Sequence, residues 1–188
     1  MKIIAGTLKG KKILTYKDYS YKPITSMLKE SIFGVLSSGQ FINSETDTSI
    51  LQDATSIDAF GGTGAFTFEA ISRGVAKSVV IEKDLKSVDA LRRNTESLGI
   101  ANKVTIIRGD ALNLPRAATE CSIAFIDPPF KRALVYGCVK SLVEKNWLAK
   151  GAILIIRTHI KDPYDINEFC HQIFKRKYGN SLLSIYRY

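Results

Sequence analysis

Apolar residues recur along this chain with two different periods, and the changes of period mark its elements. Leu28, Ile32, Val35 and Leu36 fall on one helical face, so residues 26–37 read as an amphipathic helix with Thr25 or Ser26 as its N-cap. From residue 56 onward, short apolar runs alternate with helical patterns. Strands are predicted at 56–60, 78–82, 103–108, 123–126 and 152–156, and helices at 65–72, 84–98 and 132–145. These strands are too continuously apolar to leave one face in water, which implies a parallel sheet covered by helices. After Pro163 the rhythm changes: 173–178 and 182–186 flank Gly179-Asn180 and read as an antiparallel hairpin closing the sheet. Near the start, 2–5 and 12–15 flank a glycine-bounded basic loop, which reads as another hairpin. Residues 38–54 are rich in Ser, Thr, Asn, Gln and Asp and read as a linker with at most a short helical piece.

Composition narrows the class. With 188 residues, 45% hydrophobic and 24% charged, the chain is expected to be one soluble domain with a substantial core. No apolar run approaches the ~20 residues of a membrane span, and the opening apolar stretch is too short for a signal peptide. Cys121, Cys138 and Cys170 lack the close pairing of zinc or redox motifs, so buried free thiols in a reducing cytoplasm are expected, and no metal.

The net charge of +9 is unevenly divided. Residues 1–40 hold seven Lys against two acids, 41–130 nine bases against twelve acids, and 131–188 eleven bases against four acids. Basic flanks around a mildly acidic middle suit a polyanion touched by both ends, with nucleic acid the obvious candidate.

Two stretches carry chemistry. Asp127-Pro128-Pro129-Phe130 comes directly after the buried strand at 123–126, and neither proline can extend the ladder. An acceptor, a stiff backbone and a ring just beyond a strand's carboxyl end suit a flat molecule carrying an amino group. The second stretch is Asp58-Ala-Phe60-Gly61-Gly62-Thr63-Gly64, a turn between strand and helix whose glycines let a cofactor approach the backbone. A nicotinamide-binding turn would want a third glycine where this chain has Thr67. Glu82, ending the next strand, suits ribose hydroxyls, and Asp110, after the third, suits an adenine amino group. Acceptors without a clear phosphate cradle favour S-adenosylmethionine (SAM) over a nicotinamide cofactor. His159 and His171 share no acid–base or metal spacing and read as surface or satisfied polar groups. Trp147, Tyr178, Tyr186 and Tyr188 read as packing.

Asp-x-Phe-x-Gly-x-Gly followed by Asp-Pro-Pro-Phe resembles the class I amino-methyltransferases. Within them the chain is similar to the RsmD family, which methylates the exocyclic N2 of a guanine in small-subunit ribosomal RNA. The likeness spans nearly the whole chain. It includes Lys2-Ile-Ile-Ala-Gly6, Lys9-Gly10-Lys11-Lys12, the stretch from Lys22 to Phe33, Asp127 to Arg132 and Asn146-Trp147-Leu148. Where the family reads Arg-Pro-Thr-Thr-Asp-Arg, this chain has Lys22-Pro-Ile-Thr-Ser-Met27, and Lys does not reproduce arginine's planar fork.

The resemblance implies a Rossmann-like α/β fold: a mostly parallel seven-stranded sheet with an antiparallel C-terminal strand. Residues 1–40 would be a small basic hairpin-and-helix extension for RNA, and 41–188 the SAM-binding domain. It implies that Asp58, Phe60, Gly61, Gly62 and Gly64 line the methionine and ribose of SAM, Glu82 the ribose, and Asp110 with Ala111 the adenine. Asp127 and the Pro128 carbonyl would accept the target amine's hydrogens, with Pro129 stiffening the turn and Phe130 stacking on the base. Lys9, Lys11, Lys12, Lys22, Lys131 and Arg132 would contact RNA. The expected partner is small-subunit rRNA or the assembling subunit, met by a monomer in the cytoplasm, away from membranes and without metal. The rival readings are an adenine-N6 methyltransferase of DNA or RNA, a nicotinamide oxidoreductase, and a non-catalytic RNA-binding factor.

Overall fold

A computed structural model describes residues 1–15, 24–43, 48–130 and 133–188. The chain runs α1 (Ser26–Leu36), β1 (Ile42–Asn43), β2 (Thr48–Ser49), β3 (Thr55–Asp58), α2 (Ala65–Ser72), β4 (Lys77–Glu82) and α3 (Leu85–Ser97). It continues through β5 (Val104–Arg108), β6 (Cys121–Ile126), α4 (Val135–Glu144), β7 (Leu148–His159), β8 (His171–Tyr178) and β9 (Ser181–Arg187). Seven strands form one sheet in the order β5-β4-β3-β6-β7-β9-β8. The pairs from β5 to β7 are parallel, and β9 runs antiparallel to both its neighbours. The expected α/β architecture with its antiparallel closing strand is therefore the observed one.

The sheet's two faces carry separate cores. On one, Ile153, Ile155, Leu183 and Ile185 join the apolar residues of α1 and α2. On the other, Leu154 and Ile156 join Val139 and Leu142 of α4, together with Trp147. Trp147 is buried and donates its indole N–H to the Pro115 carbonyl, 2.8 Å, which bears out a packing role. The three cysteines are free and buried, and burial pushes the Cys121 thiol up to about 12.

The N-terminal hairpin and α1 share the first core. The hairpin is held by Ile3 N–H to Lys11 O, 3.0 Å, and Ile13 N–H to Met1 O, 2.8 Å, around one bridge between Lys2 and Lys12. Thr25 caps α1, accepting from Leu28 N–H at 3.2 Å. Beside the apolar face lies Lys29, fully buried, whose Nζ donates to Glu69 Oε2 at 3.0 Å and to Lys2 O at 3.1 Å. Glu69 also accepts from the backbone N–H groups of Ile4 and Ala5 and from Arg73. Burial alone would raise its pKa, but these donors and the Lys29 charge hold it below its usual value. The rings of Phe33, Phe66 and Phe125 stack in series, with centroids 5.2 and 4.0 Å apart, and tie α1 through α2 to β6. Each such buried ring contributes roughly 1.5–3 kcal/mol of transfer free energy.

Several boundaries differ from the sequence reading. The helix expected from residue 132 starts at Val135, because Ala133 has φ +47° and cannot belong to it. The strand expected at 152–156 extends over Leu148–His159, since β9 pairs with it from Ile153 to His159. The linker contains a 3₁₀ turn, Gly39–Phe41, and the two-residue pair β1–β2, anchored by buried Phe41 and Leu51.

Candidate active site

The functional groups gather at the carboxyl ends of β3, β4, β5 and β6, on the edge where the order of the sheet reverses around β3 and β6. The glycine turn leaves β3 and enters α2. Gly61 donates to Ile81 O at 2.9 Å, and a Cβ there would lie 2.1 Å from Val80 Cγ1. Gly64 has φ +80°, and a Cβ would strike the Phe68 ring at 2.5 Å. Both positions therefore require glycine to bring the backbone against β4 and α2.

Glu82, at the end of β4, braces this turn. Its Oε2 accepts from Gly62 N–H at 2.7 Å and its Oε1 from Asp84 N–H at 2.8 Å. Each carboxylate oxygen retains a second lone pair for a hydroxyl. Asp110, after β5, is exposed and accepts from Leu112 N–H at 3.0 Å, while Ala111 beside it is buried.

Asp58 is the most perturbed of these groups. Only 2% exposed, it accepts from the Thr67 hydroxyl at 3.0 Å through Oδ2, while Oδ1 is buried without a hydrogen-bond partner. Its pKa is raised to about 7, chiefly by burial, with the charges of Asp127 and Glu82 adding and hydrogen bonding from Thr67 and the Phe60 backbone opposing. Thr67, which on sequence only argued against a nicotinamide turn, is thus the group that orients Asp58.

Asp127 has a partner that its own motif does not contain. Its carboxylate is gripped by Arg157 of β7, Nε to Oδ1 at 2.7 Å and Nη2 to Oδ2 at 2.6 Å. Burial raises the Asp127 pKa, and the guanidinium's charge and hydrogen bonds oppose that rise. Pro128 is buried, and Phe130 is partly exposed. The Arg157 guanidinium carbon lies 5.2 Å from the Phe130 ring centroid, and the His159 ring meets Phe130 edge-on at 5.6 Å. Arg157 lies just past the strand read at 152–156, and His159 reads from sequence only as a surface or satisfied polar group.

The basic candidates fall elsewhere. Lys9, Lys11 and Lys12 are exposed on the N-terminal hairpin. Its turn docks on the C-terminal end of α2, through Thr7 N–H to Ser72 O at 2.8 Å and Leu8 N–H to Ser72 Oγ at 2.9 Å. That end lies one eight-residue helix, ~12 Å, from the glycine turn. Lys22, Lys131 and Arg132 lie outside the described residues. Among the described residues, no three His, Cys, Asp or Glu side chains are grouped to hold a metal ion, and no helix is long and apolar enough to cross a membrane.

The residues fit a cofactor with a cationic end and a ribose. They offer a buried carboxyl oxygen lacking a donor, a turn whose glycines a side chain would fill, and a second carboxylate on the next strand. Strand order, closing antiparallel strand, glycine turn and Asp-Pro-Pro-Phe together define the class I methyltransferase fold. Over residues 1–187 the chain matches the family described as "Conserved hypothetical protein 95". It belongs to that family, the RsmD family. One relative, "Ribosomal RNA small subunit methyltransferase D" of Buchnera aphidicola, is 30% identical, covering 96% of this chain and 88% of the relative. The solved structure of the putative methyltransferase yhhF from Escherichia coli superposes with a TM-score of 0.83 at 24% identity, covering 100% of this chain and 97% of the other. An RNA methyltransferase from Salinibacter ruber, solved in complex with S-adenosyl-L-homocysteine, shares the fold with a TM-score of 0.66 at 14% identity, covering 88% and 93%.

Proposed function

We propose that this protein is a SAM-dependent methyltransferase of ribosomal RNA, acting on the exocyclic N2 amine of a guanine in the small subunit. One observation carries the reading: Asp127, an oriented carboxylate, stands at the end of β6 beside Phe130, one strand from the donor-lacking oxygen of Asp58. The Buchnera relative's name and the S-adenosyl-L-homocysteine complex of the Salinibacter structure support rRNA as the substrate class and SAM as the cofactor.

SAM, when bound, supplies an electrophilic methyl group on sulfonium. Asp58 would hold the amino end of the cofactor, Glu82 its ribose, and Asp110 with Ala111 its adenine. Asp127 accepts a hydrogen bond from the guanine amine, turning the nitrogen lone pair toward the methyl and stabilising positive charge as it develops. Phe130 stacks on the base, a contact worth ~1–3 kcal/mol. No covalent enzyme intermediate is needed; the rate comes from positioning and electrostatics. The target base is taken unpaired or flipped out, since a paired N2 amine cannot reach the site.

The test is transfer of tritiated methyl from SAM to purified small subunits and to naked rRNA, with nucleoside analysis. Label in N2-methylguanosine is the expected result. Label in N6-methyladenosine, or none on either substrate, overturns the reading.

A further inference from the structure

Arg157 belongs to neither of the motifs that identify the site, yet it touches both parts of the proposed grip on the base. It lies near the end of β7, next to β6, and is only 4% exposed. Its fork bonds both oxygens of Asp127, and its guanidinium carbon stands 5.2 Å from the Phe130 centroid. We propose that Arg157 is a positioning residue for the target amine, fixing the plane of the Asp127 carboxylate and the seat of the Phe130 ring together. This inference rests on the roles given above to Asp127 and Phe130.

The chemistry of the pair explains what Arg157 adds. An ionised carboxylate has about four acceptor sites. The fork occupies one on each oxygen and leaves the others on the carboxylate's remaining edges, so a base can be met in only a few orientations. The guanidinium also favours the ionised carboxylate. Burial works against that form, and the charge on Asp58 of β3 would repel it. Arg157 cannot act by adding charge to the reaction, because its own positive charge offsets part of the attraction felt by the developing cation. Its contribution is therefore orientation and ionisation. Lysine would preserve the second and lose the first, since an ammonium is a point charge without a planar fork. His159, two residues along the same strand, meets the same ring edge-on.

The experiment compares full-length wild type with Arg157→Lys and Arg157→Leu by two readouts. Carboxyl carbon NMR follows the titration of Asp127 without RNA. The Leu variant is expected to titrate at higher pH than wild type and the Lys variant near it. Single-turnover transfer at saturating SAM and saturating small subunits should fall ~10²-fold in both variants, the scale of a misplaced reacting group. S-adenosylhomocysteine affinity should stay within a few-fold of wild type. A merely structural Arg157 would lower the melting temperature and leave the rate of the folded Lys variant unmoved; that unchanged rate, or an Asp127 titration unmoved in the Leu variant, overturns the proposal. If the Leu variant does not fold, the Lys variant's rate decides. If wild type itself transfers no methyl, the proposed function fails, and the Asp127 titration still decides whether Arg157 governs that carboxylate.

Discussion

If Asp58 holds the amino end of the cofactor as proposed, cofactor binding should depend on pH in the physiological range. Its pKa is about 7 rather than 3.8, because the side chain is buried and faces the charges of Asp127 and Glu82. The ionised form is the one that accepts a cofactor ammonium, so protonation competes with binding. Below pH 7 each pH unit should weaken S-adenosylhomocysteine affinity about tenfold, equivalent to ~1.4 kcal/mol. At higher pH the ligand's own amino group loses its proton, so affinity should peak between the two pKa values. Calorimetry at pH 5.5–8.5, in buffers of different ionisation enthalpy, should show release of about half a proton per site at pH 7. The same shift has a sign for stability. Because the folded-state pKa is raised, the contribution of Asp58 is fully present below about pH 4 and is lost as pH rises through 7. The loss is about 4 kcal/mol, from three pH units at ~1.4 each. The ligand-free Asp58→Asn variant should therefore melt above wild type at pH 8 and close to it at pH 4. Flat affinity across the range, with no buffer dependence and no pH-dependent gain from Asn, would refute the assignment.

Three further outcomes are expected from the geometry. Asp127→Asn should cut methyl transfer at least ~10²-fold, and it should also destabilise the fold by up to ~3–5 kcal/mol, since buried Arg157 loses its carboxylate; single-turnover rates and urea unfolding check the two effects. Lys29→Met should cost ~3–5 kcal/mol in urea unfolding by leaving Glu69 without its buried cation, whereas Arg73→Ala, at a partly exposed side chain, should cost less. Replacing Lys9, Lys11 and Lys12 with Ala should lower the salt slope of RNA binding by about 2–3 and leave cofactor affinity unchanged. An unchanged slope would mean that this hairpin, docked at the far end of α2, does not meet phosphate.

The sheet was legible because its signal is local. Short runs rich in β-branched and aromatic residues, such as Ile123–Ile126, bounded by turns, favour a buried strand over a helix, and a glycine turn sets where the next helix can begin. Asp58, Glu82 and Asp127 could be picked out because carboxylates at strand ends sit where ligands bind. Their states could not be. That Asp58 keeps one oxygen without a donor, and that Glu82 braces the N–H of Gly62 twenty residues before it, depends on how neighbouring strands and their turns pack. Arg157 was invisible for a related reason: a charged residue after an apolar run reads as the exposed end of a strand. Pairing with β9 instead carries β7 on to His159 and buries the arginine within reach of Asp127. Lys29 carries no signal of its burial either, because its partner, Glu69, is forty residues later.

The place of β9 sets an order of events during synthesis. β8 is made before β9, yet it borders only β9, which lies between it and β7. Until Ser181–Arg187 has left the ribosome, the apolar strand β7 has an open hydrogen-bonding edge and β8 has nothing to pair with. The nascent chain therefore carries an unpaired, aggregation-prone edge for as long as β9 is still to come. Arg157, which pairs with Leu183 of β9, sits on that edge, so closing the sheet also fixes the strand that carries the grip on Asp127.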